Sequence, residues 1–371
     1  MQNERHTIVF AGGGTGGHLF PALAVAAELQ RRYPAAAISF IGAQRGLEQK
    51  LVPQAGYPLR SLRITGIKGR GPIGRVRAVL AAAGALVRCL FWMRSMRPQL
   101  VVGVGGYASG PAVLAASWLG VRTMVMEQNH FPGATNRWLA PRADAVCVPS
   151  EAARERLGGV GTITGNPVRA EFAEIGAPPA GETLSLLVLG GSRGARSVNR
   201  AMSAAVGALA RLEHPPRIVH QTGSDDEDEV RAVYGEYPAH AWEVHAFLDD
   251  VPARLAAADL AVSRAGATTL AELSVAGRGA ILVPYPYAAD DHQRHNAEAL
   301  VEVGAAEMVL DAELDGEVLA RKIGRLAAEP ETVRRMSREA RRLARPHATT
   351  AICDIAGALL GASGPGGADV S

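Results

Sequence analysis

Three glycine-rich segments carry residue types suited to binding a phosphate. Residues 12–18 (GGGTGGH), 103–111 (GVGGYASGP) and 190–196 (GGSRGAR) each follow a short apolar run and precede a helical pattern. Glycine lets the backbone approach a ligand closely, and the free N–H groups of a first helical turn attract an anion. One such loop is a weak signal, and none matches the dinucleotide or P-loop fingerprints. Three in one chain predict a site for a ligand with phosphate charge and sugar hydroxyls.

His18 stands where the first loop enters its helix. A histidine at such a loop–helix junction is placed to meet a ligand. The alternative is that His18 is a polar residue at the helix start that bonds only to its own loop.

A fourth motif lies in the second half, at 263–272 (SRAGATTLAE). Its glycine turn can start a helix whose N–H groups face a phosphate, with threonine hydroxyls as further donors. Glu272, one to two turns on, can accept two ribose hydroxyls; the alternative is a solvated helix charge, which the glycine turn and the apolar neighbours make less favourable. Gln293 and Asn296, three residues apart, share a helix face and can reach one sugar.

An α/β scaffold is expected to hold these loops. Short apolar runs at 7–11, 37–41, 100–102, 123–126, 145–148, 183–189 and 280–283 alternate with helical patterns, which predicts parallel βαβ units. The pattern restarts at Leu184, so two similar halves are expected to present their loops across one cleft. The boundary is predicted near 166–167 or in the Pro/Gly-rich segment 176–181. Residues 331–360 are predicted to be helical and divided by Pro346.

Composition narrows the functional classes. The 371 residues are 48% hydrophobic and 20% charged, which favours two domains and excludes a fibrous or wholly disordered chain. A net charge of +3 requires no nucleic-acid partner. The three cysteines have no CxxC spacing and are expected to be buried thiols. No metal is expected, because the one DxD, at 226–228, lies in an acidic run predicted to form a solvated face.

Residues 64–97 contain seven Lys or Arg residues and no acid. Val76, Leu80, Ala83, Val87 and Leu90 fall at helical spacing within this segment. Basic amphipathic segments bind anionic bilayers, so we expect contact with a membrane surface. The alternative is a helix that faces the core. No signal peptide is expected, and the longest uncharged apolar stretch, 78–87, is too short for the ~20 residues that span a bilayer.

With EQN at 127–129 and TGNPVR at 164–169, these motifs resemble the MurG family. Its members are undecaprenyl-diphospho-muramoylpentapeptide β-N-acetylglucosaminyltransferases of glycosyltransferase family 28, with the GT-B fold. The motifs follow the family's order along nearly the whole chain. One departure, Val104, concerns only local loop packing.

The resemblance implies an α/β chain with two Rossmann-like parallel-sheet domains facing a central cleft. Residues 1–166 would form the acceptor and membrane-facing domain, and 167–345 the UDP-GlcNAc domain. Residues 346–361 would be a helix that packs back on the first domain, and 362–371 a disordered tail.

The implied reaction is an inverting transfer of GlcNAc from UDP-GlcNAc to the C4 hydroxyl of the MurNAc of lipid I. It gives lipid II and UDP in peptidoglycan synthesis, and so serves cell-wall biogenesis, cell shape and cell division. The protein would be a peripheral protein on the cytoplasmic side of the bacterial inner membrane, held there by segment 64–97. No cofactor, metal or nucleic acid is implied.

The resemblance also assigns residues. Because the family inverts the anomeric centre by direct displacement, it implies a base near the acceptor hydroxyl, and His18 is the candidate, since an imidazole titrates near neutral pH. The alternative is that His18 only positions a diphosphate. Phe247 would stack on the uracil, Leu248 would bind it through its backbone, and Glu272 would bind the ribose. The residues implied for UDP-GlcNAc are Thr15, Gly16, Gly17, Asn129, Arg169, Ser192, Phe247, Leu248, Gly266, Ala267, Thr268, Glu272, Gln293 and Asn296. Those implied for the acceptor diphosphate are Gly13, Gly14, Gly105, Gly106 and Tyr107.

Two other classes stay open at this point. Another GT-B enzyme, such as a UDP-GlcNAc 2-epimerase or a transferase with a different acceptor, would share the nucleotide contacts. It should lack the paired N-terminal glycine loops and the basic segment. A non-enzymatic nucleotide-sugar or dinucleotide-binding module would bind UDP without transferring a sugar.

Overall fold

A computed structural model describes residues 6–64, 72–179, 181–191, 194–238 and 241–361, with only the backbone described at 72–76. The chain divides into two units. Unit 1 is the chain up to Pro167 together with the chain from His347 onward, and unit 2 is Val168–Pro346. The predicted tail at 362–371 and the candidate Ser192 lie outside the described residues.

Unit 1 is built on a parallel sheet. Its described strands are β1 Thr7–Ala11, β2 Ala37–Ala43, β3 Leu59–Leu62, β4 Leu100–Gly103, β5 Arg122–Met126, β6 Ala145–Val148 and β7 Thr162–Ile163. They lie in the order β3-β2-β1-β4-β5-β6-β7, with every neighbouring pair parallel. Its helices include α1 Gly16–Arg32, α2 Glu48–Gln54, α3 Pro72–Met96, α4 Ser109–Trp118, α5 Ala134–Leu139 and α6 Glu151–Arg156.

Strand β1 shows why an uninterrupted apolar run forms a central strand. Successive side chains point to opposite faces of a sheet, so both faces of β1 must be covered by helices. Ile8 and Phe10 pack in one core cluster with residues of α1. Val9 and Ala11 pack in another, with residues of α3 and α4. All four side chains are fully buried.

Unit 2 repeats this architecture. Its described strands are β8 Ser185–Leu189, β9 Arg217–Gln221, β10 Trp242–His245, β11 Leu260–Ser263, β12 Gly279–Leu282 and β13 Ala306–Met308. Their order is β10-β9-β8-β11-β12-β13, again all parallel. Its helices include α7 Ala170–Ala173, α8 Arg196–Leu209, α9 Glu227–Tyr234, α10 Val251–Ala257, α11 Ala267–Ala276, α12 His292–Glu302, α13 Gly316–Ala328 and α14 Pro330–Arg342.

The last described helix, α15 (Ala348–Leu359), returns to unit 1 and packs against α1. Arg32 of α1 bonds Asp354 at 2.5 Å, and Ile352 and Cys353 are buried in the cluster that contains Phe10. The prediction that Pro346 divides the C-terminal helical segment is confirmed, because α14 ends at Arg342 and α15 begins at Ala348. The predicted burial of the cysteine thiols is confirmed as well.

Each sheet has one point at which its strand order reverses. β1 lies between β2 and β4, and β8 lies between β9 and β11. In open parallel sheets, ligands bind outside the carboxyl ends of the strands at such a point. The predicted glycine loops follow β1, β4 and β8, and the fourth motif follows β11. The predicted α/β class with two Rossmann-like parallel sheets is therefore confirmed.

Candidate functional site

The two glycine loops of unit 1 pack directly on each other. The Gly13 amide donates to the carbonyl of Gly105 at 3.3 Å. A Cβ added at Gly12 would collide with that same carbonyl oxygen, and one at Gly106 would lie 2.5 Å from the carbonyl oxygen of Gly13. Gly12 and Gly106 also have positive φ values, +139° and +78°, which glycine adopts at no steric cost. Only glycine allows this approach, so these residues shape the edge of the sheet between β1 and β4.

Glu48 stabilises the first loop through hydrogen bonds to its backbone, a role that was not predicted from the sequence. It lies at the start of α2 and is buried. Its carboxylate accepts the backbone N–H of Gly14 and that of Ala43, each at 2.9 Å. Positions 42 and 46 require glycine, because a Cβ atom added at either would collide with the Glu48 side chain. The only trace of this arrangement in the sequence is the pair of glycines shortly before the acid.

His18 is half-buried in the first turn of α1 and lies where the two loops meet. Its Nδ1 is 3.4 Å from Thr15 Oγ1, and a Cβ at Gly105 would lie 3.0 Å from its Nε2. Gly16 and Gly17 open the helix, whose first turn contains no acidic residue.

Tyr107 follows the second loop and is exposed. The candidate base and the residues predicted for the acceptor diphosphate are thus brought together at the switch point of unit 1.

The loop after β5 is organised by a buried carboxylate. Glu127 accepts hydrogen bonds from the backbone N–H groups of Gln128, Asn129 and Gly133 at 2.8 to 3.0 Å. The side-chain amides of Asn129 and Asn136 donate to it at 3.1 and 2.9 Å. The sequence analysis assigned a role only to Asn129; the structure shows that Glu127 determines where Asn129 lies.

The glycine loop of unit 2 packs against the carboxyl end of β9. The Gly190 amide donates to the carbonyl of Gln221 at 3.0 Å, and Gln221 Nε2 donates to the carbonyl of Gly191 at 2.8 Å. A Cβ at Gly194, where φ is +74°, would collide with the carbonyl oxygen of Thr222. The loop therefore lies at the carboxyl ends of β8 and β9, the edge at which the sequence predicted ligand binding.

The start of α11 provides a polar, electropositive end beside this loop. Gly266 is the N-cap and Ala267 begins the helix, which has no acidic residue in its first turn. Helix N-termini carry free N–H groups and a partial positive charge. The hydroxyls of Thr268 and Ser263 are buried without a hydrogen-bond partner among the described residues. This helix end has donors available for an anion.

Glu272 lies one turn further along α11 and is half-buried. Burial raises the pKa of its carboxyl to about 7, and the positive charge of Arg169 lowers that pKa in part. Arg169 immediately precedes α7, and its guanidinium lies 5.0 Å from the centre of the Phe172 ring. A carboxylate with such a pKa is in a poorly solvated environment, where it gains from hydroxyl donors.

Four further candidates differ in exposure. Phe247 is 57% exposed, whereas the adjacent Leu248 is buried in the core. Gln293 accepts the backbone N–H of Tyr285 at 2.9 Å, so it holds the loop after β12. Asn296 is fully buried, and its Nδ2 donates to the carbonyl of Ala265 at 3.3 Å. Asn296 therefore supports the turn that leads into α11.

Arg264 connects the elements around this turn, and the sequence analysis assigned it no role. It donates to Asp311 Oδ1 at 2.6 Å and to Ser197 Oγ at 2.7 Å. It also reaches the carbonyl oxygens of Val283 and Pro284 at 3.3 and 3.2 Å. One guanidinium thus links the ends of β11 and β12 to the first turn of α8.

The acidic run around the DxD is exposed at Asp225, Asp228 and Glu229, as predicted for a solvated face, and only Asp226 differs clearly. Asp226 accepts from Asn199 at 2.8 Å and lies 3.7 Å from the Arg196 guanidinium, with its side chain only 13% exposed. It is a structural acceptor at the start of α9. Among the described residues, no group of three or more His, Cys, Asp or Glu side chains is arranged to hold a metal ion.

Comparisons with known proteins match this fold and these loops. The N-terminal domain model of glycosyltransferase family 28 matches residues 8–148, and the C-terminal domain model of the same family matches 185–352. A putative UDP-N-acetylglucosamine 2-epimerase from Listeria monocytogenes, 15% identical, covers 99% of this chain and 100% of its own with a TM-score of 0.66, a likeness of fold alone. The fold and the two switch-point sites define a glycosyltransferase of family 28 with the GT-B fold.

A narrower group follows from the more similar proteins. The UDP-N-acetylglucosamine–N-acetylmuramyl-(pentapeptide) pyrophosphoryl-undecaprenol N-acetylglucosamine transferase of Geotalea daltonii is 44% identical over 352 residues, 94% of this chain and 96% of the relative. The crystal structure of MurG from Acinetobacter baumannii is 33% identical and has a TM-score of 0.77, covering 95% of this chain and 99% of that one. The chain belongs to this family, the MurG-type N-acetylglucosaminyltransferases. The resemblance read from the motifs and the prediction of a glycosyltransferase are confirmed.

Proposed function

We propose that this protein transfers GlcNAc from UDP-GlcNAc to the C4 hydroxyl of the MurNAc of lipid I, forming lipid II and UDP. One observation carries the proposal. At the switch point of unit 2, the N-terminus of α11, where the hydroxyls of Thr268 and Ser263 have no hydrogen-bond partner among the described residues, precedes the half-buried carboxylate of Glu272. A nucleoside diphosphate sugar needs both, one for its phosphates and one for its ribose. The relatives named for this reaction support the same conclusion.

Unit 2 binds the donor in this proposal. Glu272 accepts the two ribose hydroxyls, and the exposed ring of Phe247 stacks on the uracil while the Leu248 backbone bonds its edge. The start of α11 at Gly266–Thr268 receives the diphosphate, together with Ser192, which lies outside the described residues. The ends of Gln293 and Asn296 hold the turns on which the GlcNAc rests.

The departing UDP is stabilised electrostatically rather than by a covalent intermediate. Negative charge develops on the diphosphate as the bond to the sugar breaks. The N-terminus of α11 and the Arg169 guanidinium are positioned in unit 2 to stabilise that charge. The displacement is direct and inverts the anomeric centre, so the acceptor hydroxyl needs a base.

Unit 1 supplies that base and binds the acceptor. The glycine loops at Gly13–Gly14 and Gly105–Gly106 receive the lipid I diphosphate, with Tyr107 at their exposed rim. Thr15, Gly16, Gly17 and Asn129 contact the donor sugar from this side. His18, held against both loops, takes the proton of the C4 hydroxyl.

The transfer is tested with radiolabelled UDP-GlcNAc and a lipid I analogue. The expected product is a labelled disaccharide on the lipid. Hydrolysis or epimerisation of UDP-GlcNAc without that product would replace the proposal with an epimerase-like activity, and UDP binding without turnover would indicate a binding module.

The base is tested with His18→Ala against Thr15→Ala. A general base contributes about 10²–10⁴-fold, so His18→Ala should reduce kcat by at least that lower factor. Thr15→Ala removes the hydroxyl beside His18 and one proposed contact to the donor sugar, so it should raise KM for UDP-GlcNAc and change kcat far less. Normal turnover of His18→Ala would eliminate the base role and leave His18 as a residue that positions the diphosphate.

Helix α3 is the proposed membrane contact. Ala78, Ala85, Cys89 and Met93 point from one face into the core of unit 1. Leu80, Val87 and Phe91 lie on the opposite face and are 66%, 66% and 71% exposed. Exposed Arg77, Arg88 and Arg94 accompany them on the helix. Residues 65–71, with Lys68 and Arg70, lie outside the described residues.

The same helix contains a stretch, Arg77–Met96, that would be long and apolar enough to cross a bilayer, with a hydropathy of 1.4, judged by length and composition only. Its packing on the core of unit 1 instead favours a surface contact, with the apolar face entering the interface and the arginines meeting anionic headgroups. The protein is then a peripheral protein on the cytoplasmic side of the bacterial inner membrane.

Vesicle sedimentation tests this contact. Burying a Leu or Phe side chain contributes about 1.5–3 kcal/mol, so Leu80→Asp and Phe91→Asp should each weaken binding to anionic vesicles about tenfold or more. Val303→Asp, on an exposed apolar residue of unit 2, serves as the control and should bind normally. Failure of the wild-type protein to bind anionic vesicles at low salt would refute the contact.

A further inference from the structure

In unit 2, a chain of buried hydrogen bonds lies next to the turn at Gly194, within the glycine loop at 190–196. It joins Tyr234 of α9, His220 of β9 and Asn199 of α8, all three buried. The Tyr234 hydroxyl is 3.1 Å from His220 Nδ1, and His220 Nε2 is 3.1 Å from Asn199 Oδ1. Polar groups buried this deeply are costly unless each is paired, so the chain has a structural reason to be complete.

The direction of each bond follows from the partners of Asn199. Its Nδ2 is 2.9 Å from the carbonyl oxygen of Thr222 and 2.8 Å from Asp226 Oδ2. Both are acceptors, so the amide nitrogen donates to both and Oδ1 must accept. His220 therefore donates from Nε2, and its Nδ1 accepts from the Tyr234 hydroxyl. Burial lowers the pKa of His220 to about 3, which keeps the ring neutral at physiological pH.

Asn199, at the end of this chain of hydrogen bonds, contacts the backbone on which the loop expected to bind the diphosphate packs. The Thr222 carbonyl that receives the Asn199 amide is also the group against which Gly194 packs. Asp226, the second acceptor, lies 3.7 Å from Arg196, the first residue of α8. Asn199 thus joins the carboxyl end of β9 to the beginning of α8, and its Oδ1 is held from the core by His220.

We propose that His220 and Tyr234 are positioning residues that hold the Asn199 amide in the place that sets the Gly194 turn and the start of α8 for a nucleoside diphosphate. This inference rests on the proposed function only in placing the diphosphate at that loop. Removing the imidazole takes from Asn199 Oδ1 the buried bond that fixes the amide in place, and removing the Tyr234 hydroxyl leaves His220 Nδ1 unpaired, while Thr222 and Asp226 still decide which end of the amide faces them. The effect should therefore fall on recognition of the diphosphate rather than of the uracil or ribose.

The test compares UDP with uridine in four variants. His220→Phe removes both ring nitrogens, Tyr234→Phe removes only the last donor, and His220→Gln retains one donor and one acceptor. Tyr237→Phe is the matched control, because Tyr237 is also buried near the end of α9 and takes no part in the chain of hydrogen bonds. Its hydroxyl donates instead to the carbonyl oxygen of Pro216 at 2.9 Å. Titration calorimetry gives the Kd of UDP, displacement of UDP gives that of uridine, and steady-state kinetics gives KM and kcat.

We expect His220→Phe to weaken UDP binding about tenfold and Tyr234→Phe about threefold, which correspond to about 1.4 and about 0.7 kcal/mol and lie in the range of a lost hydrogen bond. Uridine should change less than twofold, KM for UDP-GlcNAc should rise more than kcat falls, and His220→Gln should recover most of the affinity. Tyr237→Phe should bind UDP normally.

Equal loss of UDP and uridine affinity would overturn the proposal, as would unchanged UDP affinity in folded Tyr234→Phe, or an equal defect in Tyr237→Phe. If His220→Phe does not fold, Tyr234→Phe decides, since it lacks a single oxygen atom. A wild-type protein that binds UDP but makes no disaccharide would refute the proposed function and leave this test intact, because its primary measurement is UDP binding.

Discussion

Replacing Glu272 by Gln separates its role in the ligand site from its effect on folding. Burial raises the pKa of this carboxyl from 4.5 to about 7. A glutamate with a folded-state pKa above its unfolded value gives full stability below pH 4.5 and loses it as pH rises through 7. The shift corresponds to about 3 kcal/mol, at 1.36 kcal/mol per pKa unit. Gln is neutral and nearly isosteric, so Glu272→Gln avoids this loss.

Denaturant unfolding of the ligand-free protein measures the effect. The variant should be more stable than wild type by about 3 kcal/mol at pH 8 and by about 1 kcal/mol at pH 5. Glu317→Gln, on an exposed glutamate of α13, is the control and should show no such pH-dependent gap. A stability difference that is the same at both pH values would refute the assignment of the raised pKa to Glu272.

Ligand recognition should change in the opposite direction. Only the carboxylate accepts both ribose hydroxyls strongly, so the wild-type KM for UDP-GlcNAc should fall about tenfold from pH 6 to pH 8 as a group of pKa about 7 ionises. Glu272→Gln should raise KM about 100-fold at pH 8, the loss of about 3 kcal/mol of charged hydrogen bonding, and abolish its pH dependence. A variant that keeps the wild-type KM and pH profile would show that Glu272 does not bind the ribose.

Three further predictions concern the residues that support the site. Gly106→Ala places a methyl group 2.5 Å from the Gly13 carbonyl oxygen and should lower the free energy of unfolding, measured by thermal unfolding, by about 2–4 kcal/mol. Gly14→Ala meets no atom within 4 Å and should lower it only by the ~1–2 kcal/mol of its positive φ. Equal losses in the two variants would contradict the packing of the two loops on each other. Glu127→Gln removes the charge that five donors share and should lower the free energy of unfolding by about 2–3 kcal/mol in denaturant titration, and an unchanged midpoint would contradict this. Arg264→Lys cannot reach Ser197, Asp311 and two carbonyls at once and should reduce kcat/KM for UDP-GlcNAc about tenfold, with no change expected if the guanidinium is dispensable.

Much of the fold could be predicted from local sequence patterns. The run at 7–11 is β1 over the same residues, and the run at 145–148 is β6, because central parallel strands are apolar on both faces. The strands that were not identified from the sequence include β11, Leu260–Ser263, which is apolar and buried; most of the others are short or mixed in polarity. β7 has two residues, and β10, Trp242–His245, alternates apolar with charged residues near a sheet edge.

The site was predictable only in part. The glycine loops and Glu272 could be identified because they follow strands or open helices, relations that lie within a few residues of each other. Glu48 supports Gly14 across 34 residues, and Arg264 reaches Asp311 across 47. No local periodicity reports such pairs, since both partners are compatible with many surroundings until the sheet brings them together. Asp226, predicted to be solvated, is a partly buried acceptor for Asn199 for the same reason.

The sequence by itself determined the strands, the loops that follow them and the chemistry that those loops can offer, because these depend on side-chain period and glycine content. The tertiary structure decided which loops meet. The strand order places β1 beside β4 and β8 beside β9, so the backbones around Gly12 and Gly105 come into contact and the Gly194 turn rests on Thr222. It also decided how far Glu272 is removed from water, which is what raises its pKa, because burial depends on every element packed around it.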